Sequence, residues 1–169
     1  MRIRQATIDD VPGISHVHVA SWKTTYKGII SDEYLSKLSV ESRINNWNWV
    51  FNRSNPDEVI YVMESDDGAI VGFANGGKCR SEQYHYDSEL YSIYLLEEYQ
   101  GLGYGKALFS AVVNHLKRHH YQSLMVWVLE KNCATAFYYR LGAEAFTKKD
   151  IQIGNDTVTE LGLGWNELL

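Results

Sequence analysis

Between Leu95 and Lys106 the chain reads Leu-Leu-Glu-Glu-Tyr-Gln-Gly-Leu-Gly-Tyr-Gly-Lys, with glycines at 101, 103 and 105. A β-like run, Leu90 to Leu95, precedes it. An amphipathic stretch, Gly105 to His120, follows and sets Leu108, Ala111, Val112, His115 and Leu116 on one helical face. Glycines at alternate positions where a strand hands over to a helix let the main chain take φ > 0 and approach a guest closely. The first N–H groups of the helix have no helical partner, so they are free to bind an anion. A phosphate or pyrophosphate is the natural guest. Spacing excludes two well-known versions of such a loop. GxGxxG started at Gly101 meets Lys106 at its third position, and started at Gly103 it meets Leu108. A P-loop needs Gly where Gln100 stands and Ser or Thr where Ala107 stands.

The rest of the chain supplies one domain's worth of elements. Arg2 to Ala6 alternates as a short strand, and Thr7 with Asp10 opens a helix over about 9–25 that Gly28 closes. Ser31-Asp32-Glu33 starts a second helix. Glu41 to Phe51 forms a third, stopped by Ser54-Asn55-Pro56. The period then changes. Val59 to Met63 and Ile70 to Ala74 form a hairpin across Asp66-Asp67-Gly68, and Leu90 to Leu95 is the next strand. After the helix beginning at Gly105, Leu124 to Leu129 is continuously apolar, as in a strand buried on both faces. Asn132 to Leu141 forms a short helix closed by Gly142. Ile151, Ile153, Val158 and Leu161 flank the turn Gly154-Asn155-Asp156 in a final hairpin. Early strands with one later β–α–β crossover make a mixed sheet with helices on both faces.

The 169 residues suit a single domain over 1–169 that buries roughly 70% of its unfolded surface without metal or disulfide support. Lys plus Arg is 16 against 21 Asp plus Glu, a net charge of −5, which disfavours nucleic acid as a partner. Cys79 and Cys133 form no CxxC pair and read as free thiols of a reducing compartment. The first residues lack an apolar leader core and no run approaches the roughly 20 residues of a membrane span. A cytoplasmic protein without membrane association is expected. Histidines 16, 18, 115, 119 and 120 match no ligand spacing, so no metal is expected.

The pattern that the loop does satisfy is QxxGxG, on Gln100, Gly103 and Gly105. With Ile93-Tyr94-Leu95 before it and Asn132-Cys133-Ala134-Thr135-Ala136-Phe137-Tyr138-Tyr139-Arg140-Leu141-Gly142 after it, the chain resembles the GNAT superfamily of acetyl-CoA-dependent N-acetyltransferases. The second segment is similar to the family's NxxAxxFYxxxG signature. The N-terminal part, with Trp22, Tyr26 and two short helices, is similar to that of many bacterial members. The resemblance is most specific over 89–142. It implies an α/β (α+β) fold: a single mixed, mostly antiparallel sheet of about seven strands, helices on both faces, and a splayed central strand pair. It also implies acetyl-CoA as cosubstrate, lying between strands at about 89–95 and 123–129.

By that resemblance the main chain of Ile93, Tyr94 and Leu95 pairs with pantetheine, and the amide near Leu95 polarises the acetyl carbonyl. Gln100, Gly101, Leu102, Gly103, Tyr104, Gly105 and Lys106 hold the pyrophosphate, and Asn132 contacts the thioester end. Tyr138 is the expected general acid; Tyr139 beside it points about 100° away and cannot share the role. The acceptor is a primary amine, which must lose a proton before it attacks. Members that modify protein N-termini often carry Glu where Trp127 stands, which favours a small-molecule amine over a protein. A protein acetyltransferase and a coenzyme A sensor without turnover are the alternatives, and a homodimer is possible. The expected base is Glu89, taken to share a strand face with Tyr91, Ile93 and Leu95 and to lie roughly 13 Å from Ile93, a gap that water must relay. His85, Glu97 and Glu98 are lesser candidates. Trp22 and Tyr26 either pack the core or wall the acceptor pocket.

Overall fold

The structure, a computed structural model, describes residues 1–53 and 55–168; Ser54, first residue of the expected helix break, lies outside them. The chain order is β1 (Arg2–Gln5), α1 (Val11–Thr25), α2 (Asp32–Ser36), α3 (Val40–Asn52), β2 (Glu58–Glu64), β3 (Ile70–Lys78), β4 (Ser88–Leu95), α4 (Tyr104–Arg118), β5 (Leu124–Leu129), α5 (Ala134–Arg140), β6 (Glu144–Ile153) and β7 (Asp156–Trp165). A 3-10 turn at Ile8–Asp10 leads into α1, where the Thr7 N–H donates to Asp10 Oδ2 (2.8 Å) and Arg4 grips both oxygens of Asp10 (2.7 and 2.8 Å). The Thr7–Asp10 signal therefore marks a real helix entrance.

The sheet has seven strands in the order β1-β2-β3-β4-β5-β7-β6. Every neighbour is antiparallel except β4 and β5, which run parallel because α4 carries the chain across. Helices α1 and α3 cover one face, with Val11, Ile14, Val17 and Trp47 packed on Val62 and Phe73. Helices α4 and α5 cover the other, with Leu108, Val112, Leu116 and Tyr138 packed on Leu90, Val126 and Val128. Helix α4 buries Phe109 and Val113 in addition to Leu108, Val112 and Leu116, so its buried stripe is wider than the periodicity alone indicates.

Two features prepare the site. The β4–β5 ladder has three rungs only, Ser88↔Leu124, Glu89↔Met125 and Leu90↔Val126, and beyond them the strands separate. On the other edge of β4, Ser92 faces Asn75 and Leu90 faces Gly76, so Tyr91 is an extra residue opposite β3. Such a bulge bends and twists its strand, and here it sits where β4 leaves β5. It also reverses side-chain alternation, which corrects the expected common face of Glu89, Tyr91, Ile93 and Leu95. Leu90, Ile93 and Leu95 pack toward α4, whereas Glu89 lies on the α1 face with Tyr94.

Candidate active site

A cleft of about 1120 Å³ opens where β4 and β5 diverge. Its nucleotide side is the loop after β4. Gln100 Nε2 donates to the Leu95 carbonyl (3.0 Å), bracing the loop against the strand it leaves. Gly101 (φ 73°) and Gly103 (φ 85°) then take left-handed conformations that side chains disfavour. Ala107 is the first residue to donate back into the helix, to the Gly103 carbonyl (3.2 Å). Among the described residues, none of the six main-chain N–H groups from Gly101 to Lys106 has an acceptor. They form a concave donor set at a helix N-terminus, the arrangement that binds phosphate oxygens. Gly101, Gly103, Gly105 and Lys106 line the cleft, whereas the Leu102 side chain is exposed and Tyr104 packs on the α4 core. Those two residues contribute main chain only.

The splayed strand supplies further donors. The Leu96 N–H donates to Val71 on β3, so by alternation the main chain of Tyr94 is spent on β3 as well. Ile93 and Leu95 instead face the gap toward β5. The Leu95 carbonyl is taken by Ser21 Oγ (3.0 Å) and Gln100, which leaves its N–H for a guest. The expectation for Tyr94 is thereby revised. Its side chain, not its main chain, meets the cleft, with its hydroxyl receiving a hydrogen bond from Trp22 Nε1 (3.0 Å) and lying 3.2 Å from that of Tyr26. Trp22 and Tyr26 are both packing residues and cleft wall.

Helix α5 brings Tyr138 to the cleft, 5% exposed, while Tyr139 is 46% exposed and turned out. The Tyr138 ring is wedged edge-on against Phe137 and Trp165. Its hydroxyl makes no hydrogen bond among the described residues. Burial, with Tyr94 nearby, pushes its pKa above the ordinary phenol value. Asn132 lines the cleft just before α5, and its Oδ1 accepts from the Ala134 N–H (2.9 Å) to fix the start of that helix.

Across the gap, on the α1 face, Glu89 is 2% exposed and lines the cleft. Arg80 on the β3–β4 loop holds it: the Arg80 main-chain N–H and Nε donate to Oε2 (both 3.1 Å), and Nη2 donates to Oε1. Sequence reasoning missed Arg80, Lys149 and Glu160, which also line the cleft. Arg80 and Lys149 stand among other polar residues with no periodic signal. Glu160 had one, a charge between Val158 and Gly162 on the inward side of a strand. His85, Glu97 and Glu98 are exposed and away from the cleft.

Behind Tyr94 lies His18, its ring stacked on the phenol (5.2 Å, 22°) and its Nδ1 accepting from Trp47 Nε1 (3.2 Å). Burial first, and Arg43 second, lower its pKa to about 3. An unfolded histidine titrates near 6.5, so the neutral ring stabilises the fold fully above that pH, and the contribution is lost as pH falls from 6.5 toward 3. The loss is at most about 1.4 kcal/mol per pH unit, an upper bound because His18 is only partly buried. Urea unfolding should give a stability up to about 2 kcal/mol lower at pH 5 than at pH 7, and His18→Gln should flatten that slope. An unchanged slope in the variant would show that other groups carry it.

Residues 21–143 match the family model described as Acetyltransferase (GNAT) family. The chain belongs to the GNAT family. It is accordingly an acyltransferase. The N-acetyltransferase YuaI of Bacillus subtilis (strain 168), itself uncharacterized, is 38% identical over 166 residues, 98% of this chain and 93% of that protein. The spermidine N(1)-acetyltransferase of Thermoplasma acidophilum is 28% identical over 166 residues, 95% of this chain and 96% of that protein. Among solved structures, the PaiA N-acetyltransferase of Thermoplasma acidophilum in complex with coenzyme A matches with a TM-score of 0.73 at 25% identity, covering 94% of this chain and 96% of that one. In GNAT terms the loop after β4 and the gap between β4 and β5 are one continuous cleft, closed on the α4 side by Tyr138 and open on the α1 side to Glu89.

Proposed function

We propose that this GNAT protein transfers the acetyl group of acetyl-CoA to a primary amine of a small molecule, by direct attack of the amine in a ternary complex. One observation carries the reading: at the start of α4, Gly101, Gly103, Gly105 and Lys106, whose main-chain N–H groups have no acceptor among the described residues, line the same cleft as Tyr138, whose hydroxyl has no partner there either. The loop from Gly101 to Lys106 fits a pyrophosphate, and the open edge of Ile93 and Leu95 fits an extended amide-bearing arm such as pantetheine. Bound acetyl-CoA supplies the thioester carbonyl. In this reading the Leu95 N–H donates to the developing oxyanion, and Asn132, also in the cleft wall, contacts the thioester end. Tyr138 gives its proton to the departing sulfur. The raised pKa of its phenol keeps Tyr138 protonated up to the moment the sulfur departs. Glu89 receives the proton that the amine gives up, through water along β4, with Arg80 fixing its carboxylate in the wall. Two protons leave the ammonium nitrogen: one reaches Glu89 before attack, and the other, shed as the C–N bond forms, replaces on Tyr138 the proton that the sulfur of the broken C–S bond takes.

Release of the coenzyme A thiol, followed with a panel of small amines and amine-bearing peptides, tests the reading. Turnover with a small amine is the expected result. Turnover with peptides alone would make the acceptor a protein, and tight acetyl-CoA binding with no turnover would make the protein a sensor.

A further inference from the structure

The acceptor side of the cleft contains two ion pairs built the same way round. Glu89 has a side-chain exposure of 3% and its partner Arg80 of 62%. Glu160 on β7 has 20% and its partner Lys149, on the edge strand β6, has 46%. In both pairs the carboxylate lies inside and the cation outside, and all four residues line the same cleft. The cations are not used up by their partners. Lys149 stands 3.7 Å from Glu160, beyond hydrogen-bond length, with its ammonium over the Trp127 ring at 3.7 Å. Arg80 lies over the Tyr91 ring at 4.3 Å, and its Nη1 donates to nothing among the described residues. A carboxylate in such a place opposes its own solvation: burial raises the pKa of Glu160, and Lys149 only partly offsets this.

A ligand entering from the α1 side therefore meets two cations at the rim and two carboxylates beneath them. A cationic head fits the interior. An anionic tail fits the rim, because a guanidinium edge and an ammonium are the usual donors to a carboxylate. A second ammonium at the rim would be repelled by both. We propose that the acceptor is an amine bearing a carboxylate at its other end, its amino group directed toward Glu89 and Glu160 and its carboxylate held by Arg80 and Lys149. This rests on the acetyl-transfer reading above and sharpens its substrate class.

The test compares amines of equal chain length that differ only in their far end: butylamine, 1,4-diaminobutane and 4-aminobutanoate, with norvaline to cover a shorter separation. Thiol release gives kcat/KM for each. The better of the two carboxylate-bearing amines should exceed butylamine by about tenfold, the equivalent of about 1.4 kcal/mol, and the diamine should fall below butylamine. Lys149→Glu should invert the order of diamine and amino acid, chiefly through KM. Because each readout is a ratio of substrates within one protein, partial loss of folded material cancels. A diamine used as well as or better than the amino acids by the parent protein, or an order unchanged in Lys149→Glu, would overturn the rim assignment and leave acetyl transfer standing. Release with none of these amines nor any other small amine would instead defeat the acetyl-transfer reading, and the proposal with it.

Discussion

A Gly103→Val protein should bind acetyl-CoA at least about 100-fold more weakly than the parent, a loss of about 2.7 kcal/mol. Gly103 has φ 85° and nothing stands within 4 Å of where its Cβ would be, so the cost is conformational rather than steric. A left-handed backbone costs an ordinary L-residue about 1–2 kcal/mol, and a β-branched side chain more. Valine relieves that strain by turning φ negative, which swings the N–H groups of Gly103 and Tyr104 out of the donor set. Helix α4 itself is anchored by Leu108, Val112 and Leu116, each 0–1% exposed, so the fold should survive. Calorimetric titration with acetyl-CoA, beside a thermal melt, measures both. A folded variant whose Kd lies within threefold of the parent would show that the loop does not hold the cosubstrate.

Tyr138→Phe should lower kcat by roughly 10²–10⁴, the usual worth of a positioned acid, while changing the Kd for acetyl-CoA little. The hydroxyl makes no hydrogen bond to the described protein, so its removal leaves no partner unsatisfied, and the ring contacts with Phe137 and Trp165 persist. Stability should therefore hold. Because burial raises the phenol pKa, the parent's kcat should not fall through loss of this proton until well above pH 10. A kcat within threefold of the parent would remove Tyr138 from proton transfer. Tyr139→Phe, on the exposed side of α5, is the matched control and should leave kcat unchanged.

What the sequence made legible is what local chemistry determines. The continuously apolar run from Leu124 to Leu129 became the doubly covered β5, and its bounds agree with the structure. That the Gly-rich loop, Tyr138 rather than Tyr139, and Asn132 lie at the cleft was legible because each sits in a contiguous motif similar to the family's. The bulge at Tyr91 was not, because it is a relation between β4 and β3 with no glycine or proline to mark it on β4. Strict alternation therefore put Glu89 on the wrong face. Strands β6 and β7 run ten residues each, far beyond the short apolar stretches around Gly154, because β6 is a sheet edge whose Lys148, Lys149 and Asp150 meet solvent. Arg80 and Lys149 were illegible for a related reason, and the inward charge of Glu160 gains its meaning only beside them: three separate segments meet only when the sheet is assembled in the order β4-β5-β7-β6.

The three-rung contact between β4 and β5 divides the sheet into a four-strand half and a three-strand half. The glycine loop at the start of α4, with Glu89 and Arg80, belongs to the first, while Lys149, Glu160 and Trp127 belong to the second. A guest stretched across that seam is a fastener as well as a reactant: it supplies the stitches the polypeptide omits, and it sets the distance between the two halves.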